Sequence, residues 1–214
     1  MARNTTARFL HDVSLAAWFG GGLMGAVGLN GAANDAKDST DRVRIAAHGW
    51  ARWAPVNAAA IGLHLLAGAQ LVRANKGRLA GQKGVAKTSV AKTALTGAAV
   101  AVTAYSGYLG MRVGEIENVP AEGGTKPSAA TPDSVARDLQ MLRALQWAQP
   151  ALTGGLVLLN AVMGEQQRPS EVARAALART GKAALAAASN PAATAKAARV
   201  AARQAVSNVP ALHA

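Results

Sequence analysis

Cysteine is absent from the 214 residues, which excludes disulfides, thiolate metal ligands and a cysteine nucleophile. Charge is scarce as well: 16% of residues are charged, against roughly 25% in an ordinary soluble domain. Aromatic residues make up 4% of the chain and none follows Trp147, so the C-terminal part offers no base-stacking platform for a single-stranded nucleic acid. Acids are few, 11 Asp and Glu against 23 Lys and Arg. The resulting net charge of +12 points to an anionic partner, either nucleic acid or an anionic lipid surface. No phosphate-cradling glycine loop, HExxH helix or GxSxG elbow is present, and the expectation is a protein that is not an enzyme.

What the chain does have is four long stretches without Lys, Arg, Asp or Glu. They stand between Asp12 and Asp35, Arg52 and Arg73, Lys92 and Arg112, and Arg143 and Glu165. Each stretch is close to the ~20 residues that cross a ~30 Å hydrocarbon core at 1.5 Å per residue. A soluble Ala/Gly-rich bundle is the rival reading, but buried soluble helices are usually shorter. The expected fold is therefore all-α, a four-helix transmembrane bundle over 1–164 with spans at 12–34, 53–72, 93–111 and 144–164.

The connections carry an independent signal. Arg73, Lys76, Arg78, Lys83, Lys87 and Lys92 lie between the second and third runs with no acid among them. After the fourth run, Arg168, Arg174, Arg179, Lys182, Lys196, Arg199 and Arg203 face only Glu165 and Glu171. The other two connections hold Asp35, Asp38 and Asp41, then Glu115, Glu117, Glu122, Asp133 and Asp138. Basic segments alternate with mixed ones, as the positive-inside rule requires of four spans with both termini in the cytoplasm. A bacterial cytoplasmic membrane is the expected location. Trp50, Trp53 and Trp147 fall at the outer ends of spans two and four, where amphipathic rings settle, while Trp18 lies deeper as a packing residue. A cleavable signal peptide ending at Gly31-Ala32-Ala33 is the rival for the first run.

Residues 165–214 read as a basic, Ala-rich helical cytoplasmic tail, with helix starts at Pro169-Ser170-Glu171 and Asn190-Pro191. Lys196, Arg199 and Arg203 share one helical face, which most simply lies on anionic headgroups. Nucleic-acid binding through backbone charge is the alternative for this tail. The connection from Gly114 to Thr131 is rich in Glu, Gly, Pro and Ser without period, and is expected to be irregular and mobile.

Inside the runs, Gly21, Gly25 and Gly28 follow small-residue spacing and are expected to pack against a neighbouring helix. Polar groups in hydrocarbon are costly and mark candidate sites. Asn57 and His64 lie seven apart on one face of span two, and Gln149, Thr153 and Asn160 share a face of span four. Trp53-Ala54-Pro55 and Trp147-Ala148-Gln149-Pro150 open these two spans alike. These five residues form the candidate intramembrane site, either as structural interhelical hydrogen bonds or as a polar cavity centred on His64. No cofactor is expected; His64 is the residue through which a metal or haem would bind. His11 is read as a boundary residue at a depth different from that of His64, and Met24 and Met163 give copper(I) no paired thioethers.

The stretch Phe9–Gly25, "FLHDVSLAAWFGGGLMG", resembles the first span of copper-resistance-D-like and related small four-helix membrane families. A helix-opening histidine followed seven residues later by tryptophan and a glycine pair carries the likeness, here His11, Trp18, Gly20 and Gly21. The resemblance implies a four-helix membrane protein that handles copper or has no assigned role, and the composition resembles that of uncharacterised four-span bacterial membrane proteins. The leading functional expectation is an accessory or scaffold subunit packing on a membrane-protein partner or on its own copies. The alternative is a small transporter or ligand-binding bundle with its polar seam at His64.

Overall fold

The computed structural model describes residues 4–75 and 83–165, together with 177–178, 180–186, 189 and 195 of the tail. The fold is all-α apart from one small hairpin. Helix α1 (Thr5–Met24), a π-helical turn (Gly25–Leu29) and α2 (Asn30–Asn34) follow one another without a break. Then come α3 (Ser39–Ala74), α4 (Lys83–Gly114), strands β1 (Ala121–Gly123) and β2 (Lys126–Pro127), and α5 (Asp133–Glu165). Each expected span lies inside one helical stretch.

Among the described residues, two helical stretches are long and apolar enough to cross a membrane, Thr5–Asn34 and Ser39–Ala74. Helices α4 and α5 have the length, but hydroxyl and amide side chains (Thr93, Thr96, Thr103, Ser106; Gln146, Gln149, Asn160) dilute their apolar content.

Local chemistry sets the helix boundaries. Asp38 caps α3, its Oδ1 accepting the Thr40 N–H at 2.9 Å and the Thr40 hydroxyl at 2.8 Å. Helix α3 continues through Pro55 and α5 through Pro150. A proline has no N–H to give the carbonyl four residues back, which frees the carbonyls of Ala51 and Gln146.

Contacts between α1 and α3 fix an antiparallel register. A Cβ on Gly21 would collide with the Trp53 ring, and one on Gly25 with the Trp50 ring. Counting ten residues back from Gly21 on α1 and eleven forward from Trp53 on α3 pairs His11 with His64, whose ring centroids are 4.1 Å apart. Two of the three expected packing glycines therefore face α3. Gly28 does not: it is exposed, and a Cβ there would meet only Met24 of its own helix. Gly22 faces α5 instead, where an added Cβ would lie 2.7 Å from Gln149 Nε2. Trp50 and Trp53 are consequently half-buried against the glycines of α1, whereas Trp147 remains exposed.

Helices α1 and α4 start at the same end of the bundle, where α3 and α5 finish. The first apolar cluster, near the middle, joins Leu15, Trp18, Ala99 and Leu156. The second, at the hairpin end, joins Val43, Val113, Val119, Ala121, Val135 and Leu139. The connection expected to be irregular is thus part of the core. Arg42 Nη1 donates to the carbonyls of Ala121 and Glu122 at 3.2 and 3.3 Å, and the Gly124 N–H donates to Asn34 Oδ1 at 2.9 Å. Composition signalled turns, but Val119 and Ala121 supply the apolar side chains that seat the hairpin. Arg112 and Asp138 add an ion pair between α4 and α5 at 3.2 Å.

The tail from Gly164 is a separate compact unit, and its described residues 177–178 and 180–186 are helical. Lys196, Arg199 and Arg203 lie outside the described residues.

Candidate functional site

The five residues expected to form one polar site divide between two places. Asn57 and Gln149 lie at the hairpin end. His64 and Asn160 lie at the opposite end. Thr153 sits between them, fully buried, with its hydroxyl donating to the Gln149 carbonyl of its own helix at 2.8 Å. That bond satisfies the hydroxyl locally and takes Thr153 out of any interhelical site.

At the His11 end, side chains from four helices meet. His11 is 3% exposed and His64 2%. His64 Nδ1 lies 3.1 Å from the His11 carbonyl, so that nitrogen carries the proton and donates. His11 Nδ1 lies 3.0 Å from Asp12 Oδ1, and its Nε2 lies 3.0 Å from Lys92 Nζ. These partners assign the neutral tautomer with the proton on Nδ1, donating to the carboxylate, while Nε2 accepts from the ammonium. Asn160 Nδ2 reaches Asp12 Oδ1 at 3.5 Å. Trp18 stands edge-on to His64 with centroids 6.1 Å apart, and its indole N–H donates to Thr103 Oγ1 of α4 at 3.1 Å.

This arrangement corrects one expectation. His11 and His64 lie at the same depth, because the tryptophan-on-glycine register, not the first charged residue, sets the level of α1 against α3. His11 and Asp12 also bond to each other even though their side chains leave the helix about 100° apart. Lys92, taken only as a run boundary, belongs to the cluster. The signal was available: in antiparallel neighbours, a histidine near the start of one helix and another near the end of the next share an end of the bundle.

At the hairpin end, a cavity of about 370 Å³ opens between α3, α4, α5 and the hairpin. Small residues make the room, among them Ala47, Ala51, Ala54, Gly107 and Gly110. Six of its polar lining residues fall into two sets. The first is internally bonded: Trp50 Nε1 donates to Asn30 Oδ1 at 3.1 Å, and Asn30 Nδ2 donates to Gln146 Oε1. The second set is unpaired. Trp53 Nε1, Asn57 Oδ1 and Gln149 Nε2 are buried and have no hydrogen-bond partner among the described residues. Asn57 is 8% exposed and Gln149 5%. Both residues freed of a backbone partner by proline, Ala51 and Gln146, line the same cavity. Asn30, Gln146 and the tryptophans were missed as site residues because each stands near or just outside the end of an expected span, where polar side chains are ordinary.

Among the described residues, no group of three or more His, Cys, Asp or Glu is placed to hold a metal ion. No family model, curated protein or solved structure matches the chain. The chemistry of the two polar places therefore carries the functional reading.

Proposed function

We propose that the chain is a four-span integral membrane protein of the cytoplasmic membrane, both termini inside, that binds a small uncharged molecule in the cavity at its hairpin end. It does no covalent chemistry in this reading. The observation that carries it is one cavity lined by three residues, Trp53, Asn57 and Gln149, each of which keeps a buried polar atom without a partner. A buried donor or acceptor without a partner costs about 1–3 kcal/mol, and a ligand that supplies the partners recovers that cost. The volume lies in the range of small-molecule pockets, which begins near 300 Å³.

The lining also supports the ligand class. Trp53 Nε1 is a donor, and the Asn57 and Gln149 amides offer one further donor and one acceptor. The lining includes one carboxylate, Glu115, and one imidazole, His48, and both are exposed. Neutral dipoles surrounded by alanine and glycine suit a molecule with a carbonyl or hydroxyl head and an apolar body. A carboxylate or an ammonium group would lose its hydration there without a countercharge.

Exposed apolar side chains such as Met24, Leu66, Leu158 and Val27 along the helices support the membrane setting. The ligand-binding reading is preferred to an accessory subunit because Gly21 and Gly25 are occupied by the tryptophans of the same chain. They are not free to pack on another protein.

Thermal unfolding of the purified protein in detergent tests the reading, with octanamide, 1-octanol and a naphthoquinone set against octanoate and octylamine. Neutral compounds raise the melting temperature of the wild type and charged ones do not. Gly110→Leu fills the cavity from a position with open space beside it, and abolishes the shift while keeping the fold. An equal response to every compound, or a response that survives Gly110→Leu, contradicts the proposal.

A further inference from the structure

The cavity does not use the cluster at the other end of the bundle, and that cluster has a chemistry of its own. The groups facing His11 come from every helix packed around it: Asp12 of α1, His64 of α3, Lys92 of α4 and, through Asp12, Asn160 of α5. They amount to one carboxylate, one ammonium, a second imidazole and a neutral amide. Both nitrogens of His11 are engaged, Nδ1 as donor to the carboxylate and Nε2 as acceptor from Lys92.

The Lys92–His11 bond joins α4 to α1, and its acceptor is a nitrogen that one proton removes. A proton added at Nε2 turns acceptor into donor and places an imidazolium against an ammonium, with the His64 ring tilted at 33° and its centroid 4.1 Å away. Hydrogen bond and charge then both oppose the contact. The exposed Asp12 carboxylate stabilises an imidazolium at Nδ1 in either arrangement, so the repulsion falls on the α4 side.

We propose that His11 is a proton-binding site that latches α4 to α1. Neutral His11 accepts from Lys92 and holds the two helices together. One proton taken up at Nε2 releases Lys92 and, with it, the amino-terminal half of α4. Lys92 keeps its own proton, so the cluster gains one positive charge. The latch stands on this cluster alone and needs no ligand in the cavity.

Spin–spin distances on the full-length protein test it, since the chain has no native cysteine. Labels at Val13→Cys and Ala91→Cys, both exposed positions, report the separation of α1 and α4 between about pH 7 and about pH 4, the range in which a buried imidazole facing an ammonium takes up its proton. The wild-type background shows a short-distance population giving way to a longer one. Their ratio changes by up to about tenfold per pH unit, the limit set by linkage to one proton. His11→Gln keeps an acceptor for Lys92 but cannot titrate, and holds the short distance throughout. Asp12→Asn removes the carboxylate that stabilises the imidazolium and moves the transition to lower pH. The proposal is overturned by a wild-type distance that does not respond to pH, by the same transition in His11→Gln, or by an unchanged midpoint in Asp12→Asn.

Discussion

The two ends of the bundle are built from the same helices and are both polar, yet they are finished differently. At the His11 end, Asp12, His64, Lys92 and the Trp18 indole are paired, and the groups are packed tightly enough to set two imidazole centroids 4.1 Å apart. At the hairpin end, the alanines and glycines leave room, and Trp53, Asn57 and Gln149 each keep a buried polar atom without a partner. Paired polar groups hold a structure in one arrangement, while unpaired groups around a space are prepared for something else. The difference teaches that polarity inside a helical bundle is not itself a functional mark; pairing and volume distinguish a clasp from a receptacle.

The comparison breaks most visibly at Trp18. It is fully buried and ties α1 to α4 through Thr103, so Trp18→Ala is expected to destabilise by about 3–5 kcal/mol, measured by denaturant titration in detergent. At the other end the matching experiment adds rather than removes. A neutral ligand at one hundred times its dissociation constant raises stability by about 2.7 kcal/mol, read from the melting temperature, and an unchanged value would erase the distinction between the ends.

Within the hairpin end the paired and unpaired amides should separate in the same way. Asn30→Leu strands the Trp50 N–H and the Gln146 carbonyl, and costs about 1–3 kcal/mol. Asn57→Leu removes an acceptor that has no partner, so it changes stability by less than about 1 kcal/mol while abolishing ligand response. Equal losses in the two variants would show that Asn57 is structurally paired after all.

Acid gives the smallest effect. The backbone N–H and the hydroxyl of Thr40 hold the Asp38 carboxyl below the usual carboxylate range. Its stabilisation of the α3 start is present above the unfolded value, near pH 4, and is lost as pH falls through the lower folded value. Hydrogen exchange at the Thr40 amide should accelerate, relative to its intrinsic rate, only in that acid window, and Asp38→Ala should show the faster relative exchange at every pH.

The uncharged runs made the helices legible, because charge and length act residue by residue. Trp18 was legible as a packing residue, and Asn57 and Gln149 as candidates, for the same reason. The grouping was not. It depends on the register between helices, which is set where Trp53 and Trp50 lie against Gly21 and Gly25. No periodicity within one helix contains that information. The hairpin was hidden for a related cause, since one valine and one alanine among turn residues, Val119 and Ala121, gain meaning only against the partners Val43 and Val135. Asn57 and His64, seven apart on one helix face, were read as a single seam; two turns of helix, about 10 Å, put them in different sites.

Native mass spectrometry of the 214-residue protein, isolated under conditions that retain bound small molecules, tests the central claim most directly. The wild type should carry a bound small molecule that is neutral and of a size to fit about 370 Å³, and Gly110→Leu should be recovered folded without it. A wild type free of any such molecule, or a Gly110→Leu variant that carries the same one, would contradict the account.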